Sequence, residues 1–576
     1  MSAFKYGSAF RPLLMARQHM VSAGHYHAAQ AALKILDAGG NAIDAGVAGG
    51  LTLNVVEPQM CCFTGVAPIM IYLAAERRIL TIDGLGTWPR RATCELLASF
   101  GEECIPEGIL QTVVPGAPDA WLTALEQYGT MSFADVAQSA IDYAKSGFVT
   151  DPMMALTIKN KIADFPPGTA AADIFCPGGR PPESGDLFVQ ADLARTLEYL
   201  VAEERGARKQ GRERAIAAVR DAVYRGDLAR TFVEFQKEAG GLLEAADLAN
   251  YRVTIENAIS INFRGVDVYA CGPWCQGPML LQILLICDAL ELEKNGHNST
   301  AYLHGLVEAI KLVAADREAY YGDPKFINVP LDVLLSPAYA SSRAAAIDPN
   351  RAFPGMPDAG HIGSKDNKSV EPRPLAVASA PLDTSYISVV DRHGNAFSAT
   401  PSDGIMRKSP IVPGTGMSLS ARGIQSRLDP AHPAAVAPGK RPRLTPNPAI
   451  AIKRDEFVMP FGTPGGDLQV QAMCQVFLNI VVFGMDAQRA VEQSRVYSYS
   501  FPDSFAPHAY YPSVLKVESG ITDETTSGLL AAGHVVMPWP DAEWSRTGVC
   551  VTIDDLRRGI KLGAADSRRM SYALGN

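Results

Sequence analysis

Long apolar runs are missing from this chain of 576 residues. The longest, from about Val470 to Met485, is broken by Gln471, Gln475 and Asn479. That pattern fits a buried helix, not the roughly 20 apolar residues that a bilayer requires. Excess positive charge is missing too: the net charge is −9 and the lysines and arginines are scattered. A nucleic-acid partner and an anionic membrane surface are therefore not expected. Cysteine is sparse, with ten residues and no regular spacing, so no disulfide framework is implied. Cys271 and Cys275 lie close together, but no second Cys or His pair follows at zinc-like spacing. These thiols, and the adjacent Cys61 and Cys62, read as buried structural groups. The ten histidines, His25 and His27 among them, form no HExxH-like arrangement, and neither a metal nor a cofactor is expected. Repeats at solenoid periods are absent. The first 25 residues have neither a sustained apolar core nor a small-residue cleavage site, and a cytoplasmic location is the expectation.

What is present is the composition of a globular protein, 47% apolar and 20% charged. Gly39-Gly40-Asn41 separates two Ala-rich helical patterns between residues 27 and 54, the glycines ending one helix and Asn41 capping the next. Ile69–Leu73 and Ile79–Asp83 read as paired strands joined by the charged turn Glu76-Arg77-Arg78. Ala117 to Phe148 is mostly helical, 165–185 reads as a loop, and the charged run 202–214 as a solvated helix face. Residues 279–320 read as two apolar helices split at Asn295–Asn298, and 352–383 as a connection rich in Pro, Gly and Ser. Strands dominate after that. Helices first and a sheet built late predict a layered α/β protein.

The texture changes at Asp383-Thr384-Ser385-Tyr386-Ile387-Ser388-Val389-Val390-Asp391, where a loop breaks into a strand headed by threonine. Ser385, Ile387 and Val389 alternate with Tyr386, Ser388 and Val390; Asp391–Asn395 makes a turn and Ala396–Thr400 returns antiparallel. A hydroxyl at such a place can attack the peptide carbonyl before it. If the chain splits there, nucleophile and amine base come to share one residue. Threonines also open ordinary strands, so the pattern alone leaves both readings open.

Further motifs stand in order along the chain: Gly40–Ala45, Val55-Val56-Glu57-Pro58, Val114–Pro118, Gly305–Lys311 with Ala315-Asp316-Arg317 and Tyr321-Gly322-Asp323-Pro324, Asp383–Thr400, Pro464-Gly465-Gly466 and Ala565–Arg569. With these, the chain resembles the γ-glutamyltransferase family of N-terminal-nucleophile hydrolases over nearly its whole length. The resemblance implies a four-layer αββα sandwich built from both fragments of a self-cleaved precursor, 1–383 and 384–576, which stay associated. It implies Asp383–Thr384 as the cleaved bond and Thr384 as nucleophile. Gly465 and Gly466 are implied as oxyanion donors, and Ser402 as a second hydroxyl against the nucleophile's amine. Thr400 reads as structural. No cofactor is implied, and the processed unit can associate further with copies of itself.

The departures bear on substrate. Where the family holds the glutamyl α-carboxylate with an arginine, this chain has Leu85; the acid that grips the α-ammonium is Gln425. The tandem serines correspond to Leu444 and Thr445, and an expected asparagine to Gly404. Uncompensated, a bound zwitterion would cost several kcal/mol. Arg422 stands where the family has an amide, either as a new carboxylate contact or as a surface arginine. The expectation is an amidohydrolase of a small, non-γ-glutamyl amide of the oxamate or acyl-side-chain kind. The alternatives are a γ-glutamyltransferase with a relocated clamp, an unprocessed binding or scaffold relative in which the inserted stretch 364–380 repositions the bond, and, most remotely, a metal-dependent hydrolase.

Overall fold

The computed structural model describes residues 10–101, 104–362, 383–404, 410–539 and 547–576. The stretch 364–380 and most of the connection ending at Asp383 lie outside the described residues.

Two seven-stranded antiparallel sheets stack face to face. The first runs Leu14–Ala16, Ile560–Ala565, Cys550–Asp555, Phe457–Gly462, Ala449–Lys453, Val266–Ala270, Ile259–Phe263. The second runs Tyr572–Gly575, Met20–Ala23, Ile387–Val390, Ala396–Ala399, Ile69–Leu73, Arg78–Ile82, Ile255–Asn257. Hydrogen bonds cross between them, from Ser22 Oγ to the Val551 carbonyl (3.0 Å) and from Ser398 Oγ to that of Ala449 (3.2 Å). Helices Tyr26–Asp37 and Ala42–Val56 cover the second sheet, and Gly277–Ala289 and Gln469–Val481 cover the first. The order of layers is therefore αββα, with a buried apolar cluster under each helical layer and a third, including Val66, Leu85, Val390, Leu444 and Ile450, between the sheets.

The local signals behave as their chemistry dictates. Asn41 caps Ala42–Val56: its side-chain oxygen accepts from Ile43 N–H (2.9 Å) and Asp44 N–H (3.0 Å), and Asp44 returns a carboxylate oxygen to Asn41 N–H (2.9 Å). Ile69 pairs with Ile82 and Ile387 with Ala399, as the alternation predicts. The helical pair at 279–320 is Gly277–Ala289 and Thr300–Tyr320.

Several expectations need correcting. The 165–185 loop contains a short helix, Ala170–Phe175, capped by the Thr169 hydroxyl. The charged run 202–214 is not one helix face, because Gly211 (φ +100°) separates Ala191–Ala207 from Arg212–Tyr224. The sheet is not built late: seven of the fourteen sheet strands precede residue 384. Among them Met20–Ala23 is buried on both faces, which removes the polar half of the alternation, and Leu14–Ala16 and Ile255–Asn257 are only three residues long, too short to show a period. Finally, Thr384 does not head the ladder. It forms an isolated bridge to Ser402, in register with the Ile387–Ala399 pair but detached from it. Pro401 has no N–H to donate, and the Thr400 N–H goes to the Pro68 carbonyl (3.1 Å), so the ladder lapses for two residues.

Candidate active site

Beyond the lapse in the ladder, the Asp383–Thr384 peptide bond meets side chains as well as the facing backbone. The Thr384 and Ser402 hydroxyl oxygens are 2.8 Å apart, and both residues are buried. The carbonyl oxygen of Asp383 faces three donors: the Ser402 hydroxyl in a short contact, the Asp403 N–H (3.1 Å) and Arg422 Nη2 (3.3 Å). Arg422 Nη2 also donates to Asp383 Oδ2 (2.6 Å) and to Ser402 Oγ (2.5 Å). Arg422 is fully buried, which rules out the surface-arginine reading. It sits at the start of a single tight turn, Arg422–Gln425, with the Phe505 ring 5.4 Å from its guanidinium carbon.

Asp403 was not anticipated as a participant. Its N–H donates to the Asp383 carbonyl as one of the two backbone bonds flanking the Thr384–Ser402 bridge, and its left-handed backbone (φ +78°), uncommon for a residue other than glycine, bends the chain away directly afterwards. Its carboxylate accepts from Ser420 Oγ at 2.5 Å, which helps hold the turn. A β-strand reading gives no signal for such a kink.

Beneath Thr384 lies a second polar group. Arg569 Nη1 reaches the Thr384 carbonyl at 3.4 Å, and the Ser385 hydroxyl donates to Glu57 Oε2 at 2.5 Å. Burial pushes the Glu57 carboxyl above its ordinary range, with Arg569 and Ser385 pulling the other way. Burial likewise lowers the Arg569 guanidinium, with Glu57 opposing. Glu57 and Arg569 belong to motifs noted in the sequence, but only the fold shows that these motifs meet here.

Gly465 (φ +134°) and Gly466 (φ +58°) form the turn into Gln469–Val481. Among the described residues neither glycine's N–H bonds to Asp383 or Thr384. With the Gln469 amide oriented to satisfy both its ends, its oxygen accepts from Gly466 N–H at 3.3 Å. A Cβ on Gly466 would sit 3.3 Å from the Phe505 ring, the same ring that lies against Arg422, so turn and guanidinium border one region. Asp467 anchors the turn through Arg317 (2.5 Å) and Ser504 N–H (2.7 Å).

The remaining predicted pocket residues divide. Gln425 donates to Thr445 Oγ1 (3.1 Å) and shares the turn of Arg422. Leu85 and Leu444 are fully buried in the apolar cluster between the sheets. Gly404 has an identifiable cause: a Cβ there would lie 2.3 Å from the Gln59 carbonyl oxygen, so the asparagine of the family pattern does not fit. Thr400 is buried and its hydroxyl makes no hydrogen bond, as do both side-chain polar atoms of Gln59, Gln425 Oε1, and Nε and Nη1 of Arg422 among the described residues.

One buried group has metal-ligating side chains, His304, Glu308 and His534, with donor atoms within 4.8 Å of one another. Lys311 Nζ stands 2.7 Å from Glu308 Oε1 and already supplies the positive charge there. Its contacts, including His304 to the Asp348 carbonyl (2.8 Å), run to other parts of the fold than Thr384.

With this geometry in hand, comparison decides the family. The profile described as Gamma-glutamyltranspeptidase matches residues 28–575. The chain belongs to the γ-glutamyltranspeptidase family. Among its relatives, the acylase ACY 1 proenzyme of Pseudomonas sp. (strain SE83) is 31% identical over 96% of this chain and 94% of its own length. The glutathione hydrolase proenzyme of Bacillus subtilis (strain 168) is 30% identical over 98% of this chain and 93% of its own. Among solved structures, LmbA2991HD superposes with a TM-score of 0.91 at 35% identity, covering 99% of this chain and 100% of that one. The cephalosporin acylase of Bacillus halodurans follows with 0.84 at 27%, covering 100% and 99%. Membership of the γ-glutamyltranspeptidase family, with relatives named as acylases and glutathione hydrolases, makes this chain an amide-bond hydrolase of the N-terminal-nucleophile type.

Proposed function

We propose that this γ-glutamyltranspeptidase-family member cleaves itself between Asp383 and Thr384, then uses Thr384 to hydrolyse a small amide that is not γ-glutamyl. The reading rests on one observation: the Thr384 hydroxyl lies against Ser402 beside a buried peptide carbonyl that already has three donors. In the precursor, Thr384 Oγ1 attacks the Asp383 carbonyl carbon. Charge building on the carbonyl oxygen meets Ser402, the Asp403 N–H and Arg422, which require no rearrangement. The C–N bond breaks, the hydroxyl proton ends on the released amine, and an ester joins Asp383 to Thr384 Oγ1. Water hydrolyses that ester and leaves fragments 1–383 and 384–576.

In turnover the Thr384 amine, with a reference pKa of about 7.7, takes the hydroxyl proton and later protonates the leaving amine. Gly465 and Gly466 N–H groups serve as further oxyanion donors in turnover, and Ser402 holds the amine. Leu85, Gln425, Leu444 and Thr445 offer neither the cation nor the anion that a glutamyl head group needs. Arg422 supplies a different one, which directs the site toward amides whose acyl part is acidic. The enzyme is expected to act in the cytoplasm without a cofactor.

Denaturing electrophoresis with mass spectrometry tests the proposal. Wild type should give two fragments, the smaller beginning with a free Thr384 amine, and Thr384→Ala a single intact chain with no amidase activity. An active enzyme with an unbroken chain would overturn it. A low rate on γ-glutamyl anilide, not accelerated by dipeptide, is expected of the wild type.

A further inference from the structure

The ester formed during self-cleavage and the acyl-enzyme of turnover are the same chemical species on the same oxygen, differing only in the acyl group. Asp383 is therefore the first acyl group that Thr384 receives, and its surroundings record what the acyl pocket is shaped to hold. Those surroundings are specific. One nitrogen, Arg422 Nη2, contacts the Asp383 side-chain carboxylate (2.6 Å) as well as its carbonyl oxygen (3.3 Å). The guanidinium is fully buried, and its Nε and Nη1 make no hydrogen bond among the described residues. Asp403 Oδ2 forms a looser ion pair with Nε at 3.9 Å, outside hydrogen-bond reach, so the close carboxylate contact at Nη2 is that of Asp383. Once self-cleavage frees the Asp383 carboxylate to leave, Nη2 loses its close anionic contact and only the longer Asp403 pair remains, so the vacated position favours another carboxylate.

Resting on the hydrolase reading above, we propose that Arg422 forms a carboxylate subsite that selects four-carbon dicarboxylic monoamides, the succinyl amides. The spacing follows from covalent structure. In Asp383 two carbons separate the scissile carbonyl carbon from the side-chain carboxyl carbon, as in a succinyl group. An oxalyl group places its carboxylate two bonds too close, and a glutaryl group one bond too far. The nitrogen on the Asp383 α-carbon is an amide, so the template carries no ammonium, in keeping with Gln425 in place of an acid. Hydrolysis of the succinyl ester on Thr384 adds one water across the acyl–oxygen bond, releasing succinate and restoring the hydroxyl.

The test uses purified wild type, checked first for fragments, with succinyl, oxalyl, glutaryl and butyryl p-nitroanilides. Succinyl anilide should exceed its uncharged analogue, the butyryl anilide, by about 100-fold in kcat/KM, the scale of losing one partner of a buried charge pair. Oxalyl and glutaryl anilides should fall between. Free succinate should inhibit competitively and butyrate should not. In Arg422→Gln the succinyl-to-butyryl ratio should collapse toward one. If that variant fails to process, inhibition of wild type by succinate against butyrate decides the question by itself. A processed enzyme that prefers butyryl, glutaryl or oxalyl anilide, or that ignores succinate, overturns the subsite and leaves self-processing standing. A wild-type chain that stays whole and inactive overturns the hydrolase reading and the subsite with it.

Discussion

Ser402 touches both the Thr384 hydroxyl and the Asp383 carbonyl, so its removal strips one of three donors and loosens the nucleophile. Ser402→Ala should slow fragment formation by about 100-fold, as loss of one oxyanion donor does elsewhere. A time course of the newly made chain on a denaturing gel checks this; an unchanged rate would remove Ser402 from the mechanism. Arg569 and Glu57 act one layer further back. Glu57→Gln keeps the shape and the Ser385 contact but leaves the Arg569 guanidinium buried without a full counter-charge. It should destabilise the protein by about 3 kcal/mol, read from urea unfolding of the uncleaved Thr384→Ala background. At this scale the sequence signalled Thr384 and Ser402, because each belongs to a short motif. It did not signal Asp403, whose part depends on which strand its N–H lies beside and not on its side chain.

At the scale of elements, the helix Ala42–Val56 begins with a reciprocal cap in which the two partners are unequal. Asn41 satisfies two N–H groups at the helix start. Asp44 accepts from Asn41 N–H and also from Thr130 N–H (2.8 Å), Met131 N–H (3.0 Å) and the Thr130 hydroxyl (2.7 Å). Asn41→Ala should therefore cost about 1 kcal/mol. Asp44→Ala should cost more, about 2 kcal/mol, because four donors in half-buried hydrogen bonds at two chain segments lose their partner. Equal losses in denaturant unfolding would show that the cross-links to 130–131 contribute nothing. Capping and strand pairing at 69–82 and 387–399 were legible because adjacent residues determine them. The interrupted ladder at 384–386 was not, since it depends on which strand Pro401 and Thr400 lie beside.

For the whole molecule, each sheet draws strands from both sides of residue 384. The two fragments should co-elute as one particle after cleavage and separate only in denaturant; elution as separate folded species would contradict this architecture. Burial also governs the response to acid. His25, His432 and His534 are lowered from 6.5 to about 3, about 4 and about 3, in each case chiefly by burial. They stay neutral in the fold while the unfolded chain protonates below about pH 6.5. Their contribution is thus complete above that pH and is lost as pH falls toward 4, at about 1.4 kcal/mol per pH unit for each histidine. Asp83, raised to about 6 by burial, works the other way, as do the buried carboxyls of Glu57, Asp151, Asp316 and Asp554. Against them stand these three histidines together with His27, His297 and His508, also lowered by burial, and Glu318, Asp323 and Asp566, which neighbouring arginines hold below the usual carboxylate range. Tm should be lower at pH 5 than at pH 7, and calorimetry finding the reverse would refute this balance.

By itself the sequence determined the family, the caps and the hairpins, and it supplied the proposals for where the chain is cut and for the missing glutamyl clamp. All of these are written in residues that stand near one another or match a motif in order. Only the tertiary structure decided that Arg422 is buried against Asp383 instead of lying on the surface, that Asp403 turns its N–H to the same carbonyl, and that Glu57 and Arg569 close the floor under Thr384. These groups are brought together from opposite ends of the chain by the stacking of two sheets, and no local pattern encodes the meeting of segments hundreds of residues apart.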